Sequence, residues 1–165
     1  MPRKQSSSRN RSYKQRGKAT PRTPSYGMGS LGETDTHAMK TQNPRKEDIE
    51  ELVSFLPYLY ADGFSPIKEW KDSLDPAYED IVLKFFRVAA KDCWCDYKYS
   101  VKEASEMIRN EELIKNANIS QIKTMLTYCV RGERFCEGHW DAMIREGYIR
   151  RLLERLSTIL KEIEH

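Results

Sequence analysis

Within nine residues the chain places Arg131, Glu133, Arg134, Phe135, Cys136, Glu137 and His139, with Gly132, Gly138 and Trp140 around them. Segments that join helices are usually made of small polar residues, so this one carries an excess of reactive and binding groups. Arg131 and Arg134 are three apart, and Glu133 and Glu137 are four apart. A guanidinium presents a planar fork of donors that suits a carboxylate or a phosphate. One reading is an internal Arg–Glu clamp that fixes the angle between two helices. The sharper one is an anion pocket, helped by amides at the N-terminus of a helix starting near Glu137. The clamp is preferred, because charged loop residues are more often stapled to their own chain than to a ligand.

Cys136 and His139 invite a thiolate–imidazole reading, since a helix N-terminus lowers a thiol pKa. A cysteine beside Phe135 at a helix boundary is more ordinarily a small buried hydrophobe. No second general base or oxyanion donor is identifiable, so no residue is assigned as catalytic. Cys93, Cys95, Cys129, Cys136 and His139 are nominally enough ligands for zinc. Cys93 and Cys95 are separated by one residue rather than two to four, and Cys129 falls on an apolar helix face. The expectation is no metal and no cofactor. Tyr58, Tyr60, Phe64, Trp70, Phe85, Phe86, Trp94, Trp140 and Tyr148 could line a groove for a planar ligand. Their helical spacing is better explained by core packing.

The elements that must hold this segment read as helices. Asn43-Pro44 suits an N-cap followed by a first-turn proline, and Ile49, Leu52, Val53, Leu56 and Leu59 form one face that Gly63 and Pro66 end. Ser65-Pro66 starts a short turn that carries Trp70. Asp75-Pro76 repeats the cap-plus-proline signal ahead of Tyr78, Ile81, Val82, Phe85 and Ala89. Cys93 to Tyr97 alternates in character, but a single strand would have no partner. Ser100 with Glu103, and Asn118 with Gln121, have capping-box spacing. The first precedes Val101, Ala104, Met107 and Ile108. The second precedes Ile119, Ile122, Met125, Leu126, Cys129 and Val130, with Gly132 as the stop. Trp140, Met143 and Ile144 give a short helix that stops at Gly147. Ile149, Leu152, Leu153, Leu156, Leu160 and Ile163 give the last and clearest one, which could pack within its own domain or against a second copy as a homodimer. The expected fold is all-α, a compact bundle of about six helices over residues 43–165.

Charge divides the chain. Residues 1–46 hold eleven Lys or Arg against Glu33 and Asp35, a surplus of +9, and the remainder carries the −6 that leaves +3 overall. Up to Gly32 the larger apolar residues are Met1, Tyr13, Tyr26, Met28 and Leu31, too few to offset an ordering entropy of about 1–2 kcal/mol per residue. Residues 1–42 are therefore expected to be a disordered basic arm. Arg3, Lys4, Arg9, Arg11, Lys14, Arg16, Lys18 and Arg22 precede any acid and could contact nucleic acid through counterion release, with Tyr13 and Tyr26 stacking on bases. A solubilising tail, or an upstream extension before Met39, is the plainer reading. No apolar run approaches the ~20 residues needed to cross a bilayer. Neither a secretory signal nor the amphipathic face of an organelle transit peptide is present. Four cysteines without a signal point to free thiols in a reducing, cytoplasmic setting.

Leu126-Thr127, Val130-Arg131, Glu133-Arg134-Phe135-Cys136-Glu137-Gly138-His139, Glu146-Gly147-Tyr148-Ile149 and Leu152-Leu153-Glu154-Arg155-Leu156 together resemble DUF6508, a bacterial and archaeal domain family of unknown function. Phe55-Leu56-Pro57 and the Phe64 to Trp70 region extend the resemblance over roughly residues 48–157. Relatives usually carry an Asp-Trp pair and a further Trp where this chain has Cys95-Asp96-Tyr97-Lys98-Tyr99. Some carry the domain behind a macro domain, so the resemblance implies a neighbourhood in ADP-ribose metabolism, as an accessory factor or enzyme, without assigning a reaction. The leading expectation is a non-enzymatic helical module that recognises a protein partner or a small anionic ligand. The second is a nucleic-acid-associated protein using its arm.

Overall fold

Two prolines shape the first third of the folded body. A computed structural model describes residues 42–71 and 75–163, so residues 1–41 of the basic arm, its eight cations and Met39 among them, lie outside the described residues. Helix α1 (Lys46–Val53) begins two residues later than Asn43-Pro44 suggests. The Asp48 carboxylate accepts the Arg45 amide at 2.8 Å, so Arg45 is the cap residue. Pro57 has no N–H and its ring collides with the carbonyl four residues back, which splits the expected first helix into α1 and a four-residue α2 (Leu56–Leu59). Ile49, Leu52 and Leu59 still face the core.

Pro76 corrects a second expectation. Asp75-Pro76 does not open a helix. It lies in strand β2 (Asp75–Tyr78), paired antiparallel with β1 (Ile67–Lys71). Trp70 sits opposite Pro76 and Ile67 opposite Tyr78, with an irregularity between Ile67 and Glu69. A lone hairpin is marginal in water. This one is backed by helices through Tyr78, which is buried, and the Glu79 amide donates to the Pro66 carbonyl at 2.9 Å. Helix α3 (Asp80–Ala89) follows, burying Val82, Phe85, Phe86 and Ala89. Asp92–Trp94 is one 3-10 turn rather than an extended piece, and Trp94 is wholly buried.

The remaining helices match their local signals. In α4 (Val101–Ile108) Ser100 accepts from the Glu103 amide at 3.4 Å. A short α5 (Glu111–Lys115), which the apolar periodicity does not reveal, is capped by Asn110 accepting from Leu113 N at 3.0 Å. Asn118 and Gln121 cap α6 (Ile119–Gly132) reciprocally, both bonds at 3.0 Å. The segment between the 3-10 turn and α4 is tied to α6 by Thr124 donating to Asp96 Oδ2 (2.7 Å) and Asp96 N donating to Thr127 (2.8 Å). Helices α7 (His139–Arg145) and α8 (Tyr148–Ile163) complete the chain. The fold is predominantly helical, with eight α-helices and one small hairpin among the described residues.

The core runs through all the long elements. Ile149, Leu152, Leu153, Leu156 and Ile159 of α8 pack against α1, α5 and α7, so the apolar face of the last helix is covered by its own chain. Ile163, expected on that face, is exposed. Arg155 anchors α8 laterally, donating to the Ala117 carbonyl at 2.9 Å and pairing with Glu162. Helix α6 is the other axis, burying Ile122, Met125, Leu126 and Cys129 and leading directly into the charged loop.

Candidate functional site

Helix α6 ends at Gly132 and α7 starts at His139, so the residues rich in chemistry form a tight connection between two packed helices. The turn closes on itself. The amides of Phe135 and Cys136 both donate to the Gly132 carbonyl at 3.0 Å, and that of His139 to Cys136 at 3.1 Å. Gly138 takes φ +81, a left-handed conformation that side chains resist.

Glu133 fixes this turn. Its Oε1 accepts from the Tyr78 hydroxyl (2.7 Å) and the Gly138 amide (3.0 Å), and its Oε2 from the Trp140 amide (2.8 Å). A carboxylate bound by donors at the start of a helix offsets both the unpaired amides and the helix dipole. Burial first, then the bond to Glu133, pushes the Tyr78 phenol far above its usual range, so it remains a proton donor. Trp140 is held at both ends of its residue, since Nε1 donates to Val130 O at 3.1 Å. Its ring stacks on Phe86 at 4.2 Å and 7° and meets Tyr78 at 5.3 Å, while Phe85 meets Phe86 edge-on. An aromatic file therefore runs from the core of α3 to the carboxylate.

The acid–base pairing read from the sequence takes a different form. Glu133 is engaged by a hydroxyl and two amides rather than a guanidinium, and among the described residues neither Arg131 nor Arg134 forms a salt bridge. Arg131 lies 5.2 Å over the Tyr99 ring. The helix-start amides that would greet an external anion are already occupied by Glu133. Arg134, Phe135, Cys136 and Glu137 all point outward, and Phe135 is 84 % exposed.

Cys136 is not the buried hydrophobe that its neighbours suggest; it is exposed, with the Glu137 carbonyl 3.9 Å from its sulfur. Among the described residues no hydrogen bond joins its thiol to the His139 side chain. The imidazole packs edge-on against Tyr128 at 5.3 Å and lies so close to Gly132 that a Cβ there would come within 2.2 Å of its Nε2. Burial pulls its pKa below the usual range, and its Nε2 is buried without a partner among the described residues. Cys129 is fully buried and its thiol is pushed up by burial, as are those of Cys93 and Cys95. No group of three or more His, Cys, Asp or Glu is placed to hold a metal among the described residues. No helix among them is long and apolar enough to cross a membrane.

Three residues join the site that spacing alone did not connect to it. Tyr78 comes from the hairpin, fifty-five residues before Glu133. Trp70, from the same hairpin, is half exposed and lies over Gly138, where a Cβ would come within 3.2 Å of the indole. Tyr99 receives Arg131. Of the nine aromatics read as core, Phe85, Phe86 and Trp94 are buried, whereas Tyr58 and Trp70 are exposed.

No curated protein and no solved structure matches this chain. One family does, over residues 44–162, which takes in every described helix but the last residue of α8 and the whole of the Glu133-centred loop. The chain therefore belongs to DUF6508, a family of unknown function.

Proposed function

We propose that the helical body is a non-enzymatic interaction module whose docking element is the 133–138 loop together with Trp70. The observation that supports this is the contrast within the loop. Glu133 is tied by three hydrogen bonds, and the residue two places on, Phe135, is 84 % exposed. An apolar ring held in water has a cost of about 25 cal/mol per Å² of its surface. A loop that is already ordered loses little further entropy on binding, and aromatic side chains ringed by polar ones make effective anchors. Arg134 and Glu137 supply charges of both signs beside Phe135. The fitting partner is a protein with an apolar pocket bordered by an acid and a base.

Recovery of a partner from extracts of the source cell tests this. The wild-type chain should retain it, and Phe135→Ala and Arg134→Ala should each lower recovery by about tenfold or more while leaving the melting temperature unchanged. Equal recovery by wild type and Phe135→Ala overturns the assignment.

The charge layout favours a second activity for residues 1–26. Eight cations there are offset by no acid, and neutralised phosphates release counterions. Fluorescence anisotropy with a labelled duplex should show binding that weakens steeply with salt and vanishes on deletion of 1–26. Salt-independent binding, or binding retained without the arm, rules this out.

A further inference from the structure

Away from the loop, the α7–α8 junction and the 59–66 segment enclose an open cleft of about 520 Å³. That volume is in the range of small-molecule sites. Ala61 and Phe64 supply the apolar surface that is open to solvent, and Arg145, Arg150, Arg151, Asp62 and Glu146 line the cleft with them. The cleft shares no residue with the 131–139 segment.

The three arginines are not equally committed. Arg145 is bound to Asp141 at 2.6 Å and to Ser65 at 3.2 Å. Arg151 is held loosely, with Glu111 at 3.4 Å and the Glu146 carbonyl at 3.3 Å, and its Nε is buried with no acceptor among the described residues. Arg150 is held without any acid. Its guanidinium lies 4.3 Å over the Tyr60 ring and donates no hydrogen bond among the described residues. The Tyr60 platform is itself fixed, because its hydroxyl donates to Ile144 O at 3.1 Å and accepts the Arg150 amide at 2.8 Å. Stacking thus orients the guanidinium while leaving its donor edge free.

We propose that this cleft binds a small phosphorylated compound, with the free edge of Arg150 holding the phosphate, Arg151 adding its charge beside it, and the Ala61–Phe64 surface holding its apolar part. One open guanidinium fork beside a second positive charge favours the double charge and three free oxygens of a phosphate monoester over the single charge of a carboxylate. The first turn of the sixteen-residue α8 adds its positive end to the same side. Asp62 and Glu146 oppose any bare anion, so affinity depends on the rest of the molecule filling the cleft.

The full chain, labelled with nitrogen-15, is titrated with phenyl phosphate, inorganic phosphate, acetate and chloride at matched ionic strength. Phenyl phosphate should shift the amides of Gly63 and Gly147 and the Nε–H signal of Arg150 saturably. Inorganic phosphate should do so more weakly, and acetate and chloride should not. Arg150→Gln should weaken phenyl phosphate by about tenfold or more, Arg150→Lys should restore part of it, and Arg87→Gln, at an exposed position outside the cleft, should leave it unchanged. The site-resolved signals exclude ions collected by the basic arm. The proposal is overturned by shifts that chloride reproduces, by acetate binding as well as phenyl phosphate, or by Arg150→Gln binding like wild type.

Discussion

The Tyr78 hydroxyl donates to Glu133 Oε1 at 2.7 Å, joining a strand of the hairpin to the end of α6 across fifty-five residues of sequence. This bond makes the loop part of the body, since the same carboxylate also receives the Gly138 and Trp140 amides. Glu133→Ala would leave three donors without their acceptor. A loss of about 2–4 kcal/mol is expected by urea denaturation, with Glu133→Gln losing less because one oxygen remains. A loss below about 0.5 kcal/mol for the alanine variant would show that water replaces the carboxylate freely.

Gly132 sits in the last turn of α6 without a positive φ, so its lack of a side chain serves the approach of His139 rather than a left-handed cap. Gly→Ala in a helix ordinarily stabilises by about 1 kcal/mol. Here Gly132→Ala should destabilise by roughly 1–3 kcal/mol through overpacking, and His139→Ala in the same chain should recover part of it. Thermal denaturation of the single and double variants measures both. A stabilised Gly132→Ala would mean that the imidazole moves aside at no cost.

Burial depresses the His139 pKa below 6.5 in the folded chain. The unfolded chain therefore takes up the proton first as pH falls. Stability is fully present above about 6.5 and declines as pH drops from there through the folded value. His139→Gln should flatten this part of the stability–pH curve. An NMR titration that places the imidazole at or above 6.5 would contradict the burial seen here.

The four thiols should separate by exposure. Cys136 is exposed, Cys93 and Cys95 are partly covered and pushed up by burial, and Cys129 is enclosed. Ellman's reagent should modify one thiol rapidly in the native protein and all four in denaturant, and Cys136→Ser should remove the rapid phase. A rapid phase that survives this substitution would place a different cysteine at the surface.

Phe135→Ser should change stability by less than about 0.5 kcal/mol, since the ring has little packing to lose. A drop beyond about 1 kcal/mol would show that Phe135 is covered in solution, and with it the proposed docking surface.

What was legible in the sequence was local. Asn118 and Gln121 announce α6, and the spacing of Ile149, Leu152, Leu153 and Leu156 announces α8, because caps and periodicity act over a few residues. Pro57 stood inside the first apolar stripe and broke it where proline must. Asp75-Pro76 misled because proline after an acid suits the entry to a helix as well as a short strand, and only the pairing with Trp70 decides. The segment 131–139 stood out by composition, but its wiring did not follow from charge. Glu133 took neutral donors, one of them from the hairpin. Arg150 and Arg151 looked like the solvent side of the last helix, and the Tyr60 ring that organises the first of them is ninety residues away.

A ribbon of two strands has two unsealed rims, and such rims tempt other chains to add on. Here Pro76 strips one rim of a donor, and the slipped register between Ile67 and Glu69 disturbs the other. The hairpin can thus lend Tyr78 and Trp70 to the loop without becoming a template for fibril growth. At high concentration, self-association of this protein should proceed through side chains and not through shared strands.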